Sequence, residues 1–516
     1  MKTAVGLAVS LALAFPAAAM PPPLPEVADR SMADLQRDVA AGEASSESIV
    51  SAYIVRAKAI DGRLKSILAS NPAALSDAFA ADRARRSGDR RPLLGAAILV
   101  KDNIETADAG LATTAGSLAL AANVAGRDAP AIARLRAAGV VVLGKTNLSE
   151  WANIRSDNSL SGWSAVGGQT ANPYALDRSP CGSSSGSGAA VAAGLAAAAI
   201  GTETDGSITC PAAVTGLVGF KPSVGLVSRT GVVPISASQD TPGPMTRTVE
   251  DAALLLTAMA GSDPADPATA DADRRKEDYA ERLKPDALKG VRVGVMRYAA
   301  GFHPETDAVF ERALATLAAQ GAILVDVPEF PNRREIGQNE LAVLLTELKA
   351  GLNDYLAATD PAAVKTRTLA EVIAFNRANA DREMALFGQD LFEQAEATRG
   401  LADPAYLKAK ADAYRLAGPE GIDAVLAKYG VQVLVGPTLG PAWPIDPVLK
   451  DRYVGGGAGN AAAVAGYPHL TVPMGEVMGL PVGLSFVGPK WSDGAVLGFG
   501  YAFEQASRAR RPPALD

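Results

Sequence analysis

The chain has 516 residues, 48% of them hydrophobic and 20% charged, which is ample for a large buried core and, at about 150 residues per domain, for as many as three domains. A formal net charge of −7 leaves no basic footprint and argues against nucleic acid or an anionic membrane as main partner. Cys181 and Cys210 are the only two cysteines, too few for a disulfide scaffold or a four-thiolate metal site.

In chain order, the first element reads as a targeting segment. Lys2 is the only charge among residues 1–19, a largely apolar run covers 5–15, and Ala17, Ala18 and Ala19 supply the small residues of a cleavage site. This predicts a signal peptide over 1–19 and a mature chain that is exported, periplasmic or secreted, with no membrane attachment after cleavage. The apolar run is too short to cross a bilayer core of about 30 Å as a helix. Residues 20–30, rich in proline, predict an extended tether outside the fold, and residues 31–516 the folded domain.

Helical spacing and capping serines predict two surface helices over 31–63. The short, continuously apolar run 94–100 suits a buried strand that ends on Lys101-Asp102-Asn103. A helix over 129–138 leads to a second such strand over 140–143, followed by Lys145. The long polar loop 147–177 carries Trp151, Trp163 and Tyr174, and its length and aromatic content predict a substrate wall. Residues 180–211 hold two glycine-flanked turns, Cys181 to Gly188 and Gly201 to Ile208, joined by an alanine-rich run that predicts a short helix and strand. Strands are predicted at 217–221, 291–296, 322–327, 431–435 and 470–473, a helix at 303–320, and a helical layer over about 335–430. Strands alternating with helices, and no linker between them, predict one α/β domain with its core motifs in 95–250.

Three chemistries compete for the serine-rich turn. Gly182-Ser183-Ser184-Ser185-Gly186 matches the G-x-S-x-G nucleophile elbow with Ser184 at its centre, but that motif needs a strand before it and a histidine base. Residues 172–180 do not read as a strand, and His303 and His469 are the only histidines. Glycines 182 to 188 ahead of a helix could cradle a phosphate, yet both nucleotide fingerprints fail on spacing. A lysine can activate a serine only when neutral, hence desolvated or beside another positive charge. Lys101, at the end of an apolar run, is placed for desolvation; the alternative is a buried lysine paired with Asp102 or another carboxylate.

Four ordered motifs carry a resemblance: V-K-D-N-I at Val100 to Ile104, P-C-G-S-S-S-G-S-G at Pro180 to Gly188, G-T-E-T-D-G-S-I at Gly201 to Ile208, and G-F-K-P-S-V-G at Gly219 to Gly225. With G-Y-P-H-L-T-V-P-M-G and G-L-P-V-G-L-S-F-V-G near the C-terminus, they resemble the amidase signature family over nearly the whole mature chain. The resemblance implies a single-domain α/β/α fold with a large mixed sheet between helices, and a Ser-cisSer-Lys triad needing no cofactor and no metal. Ser207 would be the nucleophile, Ser183 the relay serine after a cis peptide bond, and Lys101 the base. Backbone N–H groups of Thr204, Asp205, Gly206 and Ser207 would form the oxyanion hole.

Departures from the commoner pattern place Cys181 and Ser185 where glycines are frequent, Asp205 for another glycine, and Thr209-Cys210 where an arginine often follows the isoleucine. With the segments around Trp151 and Trp163, these variants look most like the bacterial peptide amidase branch, which removes the C-terminal amide of peptides as ammonia. The expected reactants are then a peptide amide and water, with Trp151, Trp163 and Ser184 as substrate contacts and a monomer as the working unit. A small aryl or aliphatic amide is the alternative substrate, and an ammonia-supplying protein of the amidotransferase type the alternative role. If Ser183 and Ser207 touch, Cys181 and Cys210 lie within disulfide reach, and two small buried thiols are the alternative.

Overall fold

The computed structural model describes residues 24–108 and 110–515. The predicted signal peptide and the first residues of the tether, 20–23, lie outside the described residues. The remainder of the predicted tether has neither helix nor strand, yet it is docked: Val27 is buried in the main core, and the Arg247 guanidinium donates to the Arg30 carbonyl at 2.7 and 2.9 Å. The fold thus begins earlier than proline content suggested, because one apolar side chain and one carbonyl find partners.

Eleven strands form one sheet. They are β1 (Ile67–Ser70), β2 (Ala97–Lys101) and β3 (Val141–Thr146), then, after a small hairpin of β4 (Trp163–Ser164) and β5 (Gly168–Gln169), β6 (Ala198–Glu203), β7 (Val218–Lys221) and β8 (Thr241–Thr246). The C-terminal half adds β9 (Arg292–Met296), β10 (Ile323–Val327), β11 (Val433–Pro437), β12 (His469–Val477) and β13 (Leu480–Val487). Their order across the sheet is β1-β3-β2-β6-β8-β7-β12-β13-β11-β9-β10. The sheet is mixed: β2 runs parallel to both β3 and β6, and β9 parallel to β10 and β11, while the remaining pairs are antiparallel. Continuous apolar stretches such as Ala97–Val100 are what a strand covered on both faces requires. Helices Pro304–Ala319 and Asp493–Ser507 pack on β12, and Ser185–Ala192 on β6.

The alanine-rich run divides as predicted into helix Ser185–Ala192 and strand β6, with Gly194 turning the chain at φ +72°. Every residue of it is buried, so burial between helices overrides alanine's helix preference in β6. Strand β8 contains Pro242 and Pro244 in the middle of the sheet, where prolines are normally excluded. Its other neighbour, β7, pairs only with Met245 and Thr246, so the missing N–H groups forgo no ladder bond on that side.

The helical layer forms where expected, with Arg333–Ala358 as its longest member, followed by Leu369–Ala378, Asp390–Glu396 and Pro404–Ala417. It closes over a separate apolar cluster that includes Leu348, Leu352, Leu356, Phe392 and Trp151. Among the described residues, no helix is long and apolar enough to cross a membrane.

Candidate active site

Adjacent parallel strands β2 and β6 bring Lys101 next to Thr202, and the chain leaves β6 directly into the turn Thr204–Ser207. Lys101 is fully buried, and its Nζ donates to Ser183 Oγ at 2.7 Å, to Thr202 Oγ1 at 2.8 Å and to the Thr202 carbonyl at 3.2 Å. No carboxylate lies within ion-pairing distance of it among the described residues. Asp102 instead pairs with Lys145 at 3.2 Å, which removes the alternative reading of Lys101 as its partner. Burial lowers the Lys101 pKa to about 7, against the opposing pull of the Asp240 and Glu203 charges, so the amine is available in its neutral form near neutrality.

The serine-rich turn sits against this lysine. The Gly182–Ser183 peptide bond is cis, and Ser149 N–H donates to the Ser183 carbonyl at 3.0 Å. A Cβ at Gly182 would meet Ser149 Oγ at 2.1 Å, so a larger residue here would displace the Ser149 side chain. Ser184 N–H donates to the Ser207 carbonyl at 3.1 Å, joining the two turns, and the Cys181–Cys210 disulfide joins them again with a Cα–Cα distance of 6.1 Å. Of the two cysteine readings left open by sequence, the bonded one is present.

The second turn has its own supports. Glu203 accepts the N–H groups of Ile208 and Thr209 at 2.8 and 2.9 Å, fixing the chain just beyond Ser207. Thr204 Oγ1 donates to Asp240 at 2.6 Å, and Gln239 Nε2 donates to the Thr204 carbonyl at 3.2 Å. Among the described residues no acceptor takes up the N–H groups of Asp205, Gly206 or Ser207. Three free donors on one tight turn are what a developing oxyanion requires.

Asn460 Nδ2 bridges two carboxylates, donating to Asp205 at 2.8 Å and Glu340 at 2.9 Å. Burial raises the carboxyl pKa of Glu340, and the charge of neighbouring Asp205, which is itself exposed, pushes it up further. Ionising Glu340 therefore adds a second negative charge beside the free N–H groups as pH rises. The expected result is an alkaline fall in kcat/KM of about three- to ten-fold, the effect of roughly 1 kcal/mol of added repulsion. A pH–rate profile of Glu340→Gln checks this, and the variant should lose that falling limb.

Above the turns opens a cleft of about 710 Å³, with Gly182, Asp205 and Gly206 on its floor and Asn153, Trp443 and Tyr453 among its walls. Tyr298, Phe330 and Arg333 extend it outward. Nothing in the sequence singles out these aromatic residues, because they come from segments far apart in the chain. Trp151 and Trp163, expected to wall the substrate, lie elsewhere. Trp151 packs edge-on against Phe392 at 5.7 Å and Trp163 against Phe387 at 5.2 Å, both buried and neither lining the cleft. Their loop is held inward by fully buried Arg155, which pairs with Glu150 and donates to the carbonyl of Glu383. Its contributions to the cleft are Ser161 and Asn153, the latter at the end of three consecutive left-handed residues, Trp151, Ala152 and Asn153, at φ +50°, +53° and +75°.

Ser184 is likewise turned away from the cleft: its hydroxyl donates to the Thr202 carbonyl at 3.1 Å and accepts from Thr202 N–H. It cannot serve as the centre of a nucleophile elbow or as a substrate contact through that oxygen. His303 caps helix Pro304–Ala319, and His469, its pKa lowered by burial to about 4, pairs with Ser485 at 2.7 Å. Among the described residues, no group of three or more His, Cys, Asp or Glu side chains is placed to hold a metal ion.

A family model described as Amidase matches residues 48–497. The native peptide amidase of Stenotrophomonas maltophilia is 52% identical in sequence and superimposes with a TM-score of 0.90 over 96% of this chain and 100% of that one. A probable amidase of Arabidopsis thaliana is 39% identical over 480 residues, spanning 91% of this chain and 88% of its own length. A glutamyl-tRNA(Gln) amidotransferase subunit of Pseudomonas syringae pv. syringae is 35% identical over 500 residues, 92% of this chain and 97% of that one. The chain belongs to the amidase signature family and is an amide-hydrolysing enzyme.

Proposed function

We propose that the enzyme hydrolyses the C-terminal amide of peptides to the free acid and ammonia, through an acyl-enzyme on Ser207. The observation that carries this reading is the contact of a fully buried, carboxylate-free Lys101 with Ser183 at 2.7 Å, on a turn bonded to the turn of Ser207. Neutral Lys101 takes the proton of Ser183 as Ser183 takes that of Ser207, and Ser207 Oγ attacks the amide carbonyl. The N–H groups of Asp205, Gly206 and Ser207, with Thr204 beside them, receive the oxyanion. The proton returns along the same path to the leaving nitrogen, which departs as ammonia, and a water molecule cleaves the ester by the reverse relay.

The peptide substrate is supported by the likeness to the Stenotrophomonas peptide amidase, and the cleft lies within the usual volume range of small-molecule sites. The test compares ammonia or amine release from a peptide amide, its matched anilide and a small aryl amide. Preferred turnover of the peptide amide, with internal peptide bonds intact, is expected; turnover of the aryl amide alone would discard the peptide reading and keep the chemistry. We further propose that the enzyme is exported, supported by the targeting pattern of residues 1–19, and that it works as a monomer. A periplasmic or secreted protein beginning at Met20 and eluting as one chain checks both.

A further inference from the structure

We propose that the Cys181–Cys210 disulfide is a positioning strut of the active site, and that reducing it lowers turnover while leaving the fold in place. The inference rests on the proposed roles of Ser183 and Ser207. The chain spends both its cysteines on this one bond. Cys181 stands two residues before Ser183 and Cys210 three residues after Ser207, so the bond spans the gap between the turns that must meet for proton relay.

Both turns are built from small residues, and the other direct hydrogen bonds between them run through one residue, Ser184, whose N–H donates to the Ser207 carbonyl and whose hydroxyl bonds the Thr202 backbone, so Cys181 and the start of the relay turn are tied across by the disulfide. Cys181 itself is held at φ +56°, a left-handed conformation that non-glycine residues adopt reluctantly and keep only when their surroundings impose it. Its carbonyl accepts from Ser185 Oγ at 2.6 Å, and its sulfur packs with Cys210 against Leu439, Ala442 and Trp443. The strut therefore fixes one end of the relay turn to the cleft wall and to the helix that follows Ser207.

The bond is also within reach of a small reductant. Both cysteines line the cleft, and Cys210 is half-buried rather than enclosed. A dithiol such as dithiothreitol would cleave it by exchange: one thiolate attacks a sulfur, a mixed disulfide forms, and the second thiol closes the oxidised ring. Two electrons and two protons pass to the protein, which gains two thiols. The sheet has no part in this bond, so the fold persists while the two turns gain relative freedom. Misplacement of reacting groups by about 1 Å can cost on the order of 100-fold in rate.

The experiment measures kcat and KM on the purified mature protein for whichever amide it hydrolyses, before reduction, after reduction with thiols counted by alkylation and mass, and after reoxidation. Circular dichroism follows the fold on the same samples. The expected result is a fall in kcat of about 10- to 100-fold, a change in KM under about three-fold, unchanged secondary structure, and recovery on reoxidation. Cys181→Ser/Cys210→Ser should reproduce the reduced state. Full kcat with two titrated thiols, or a loss that follows unfolding, overturns the strut. Activity retained by Ser207→Ala strikes the relay reading instead, so the two failures are distinguishable.

Discussion

Ser207→Ala is expected to reduce kcat by about 10,000-fold or more with the protein still folded, as removal of a nucleophile does in other serine acyl-transfer enzymes. The reason is geometric. Ser183, Ser184 and Ser185 are fully enclosed, and their hydroxyls are engaged with Lys101, Thr202 and the Cys181 carbonyl respectively. Ser207 keeps 8% exposure on a turn whose neighbours Asp205 and Gly206 form the cleft floor. Thr204, exposed to the same 8%, has its hydroxyl committed to Asp240 at 2.6 Å. Its removal deletes one oxygen and disturbs no side-chain bond, so a melting temperature close to that of the parent is expected alongside the loss. Calorimetry and ammonia release on one preparation check both.

Lys101→Met should lower kcat by about 100- to 10,000-fold, the usual range for a general base, and should raise the melting temperature. The pKa of about 7 lies below a lysine's ordinary 10.5 because burial penalises the charged amine. Between those values the unfolded chain binds more protons than the folded one, so this group's penalty on stability grows as pH falls towards 7 and is complete below it. A methionine of similar length removes the penalty, and the gain should be larger at pH 6 than at pH 9. The same ionisation predicts that wild-type kcat/KM rises with pH through about 7 as the amine becomes neutral. A profile flat between pH 6 and 8 would mean that Lys101 is not the base.

The parts of the fold that are legible in the sequence are those with a local physical signature. Strands β2 and β3 announce themselves as continuous apolar runs, and helix Pro304–Ala319 by its period and its proline start. The two glycine–serine turns and Lys101 are legible because small residues in that order have few structural uses. Strand β8 is not, since two prolines contradict a central strand until the pairing with β7 is known to stop short of them. The cleft walls are hidden for another reason. Trp443 and Tyr453 reach the site through tertiary contacts, while Trp151 and Trp163, the conspicuous aromatics of the loop beside the site, are drawn inward by Phe392, Phe387 and buried Arg155. An aromatic residue on a long loop is as able to anchor that loop as to touch a ligand.

The central claim is that Lys101, Ser183 and Ser207 act as one relay. Its most direct test is ammonia release from a peptide amide by Lys101→Met, Ser207→Ala and the double variant, measured beside the wild type. Residues acting in series lose their effect together, so the double variant should retain the same residual rate as Ser207→Ala alone. A double variant slower than either single by the product of their losses would show two independent contributions and contradict the relay.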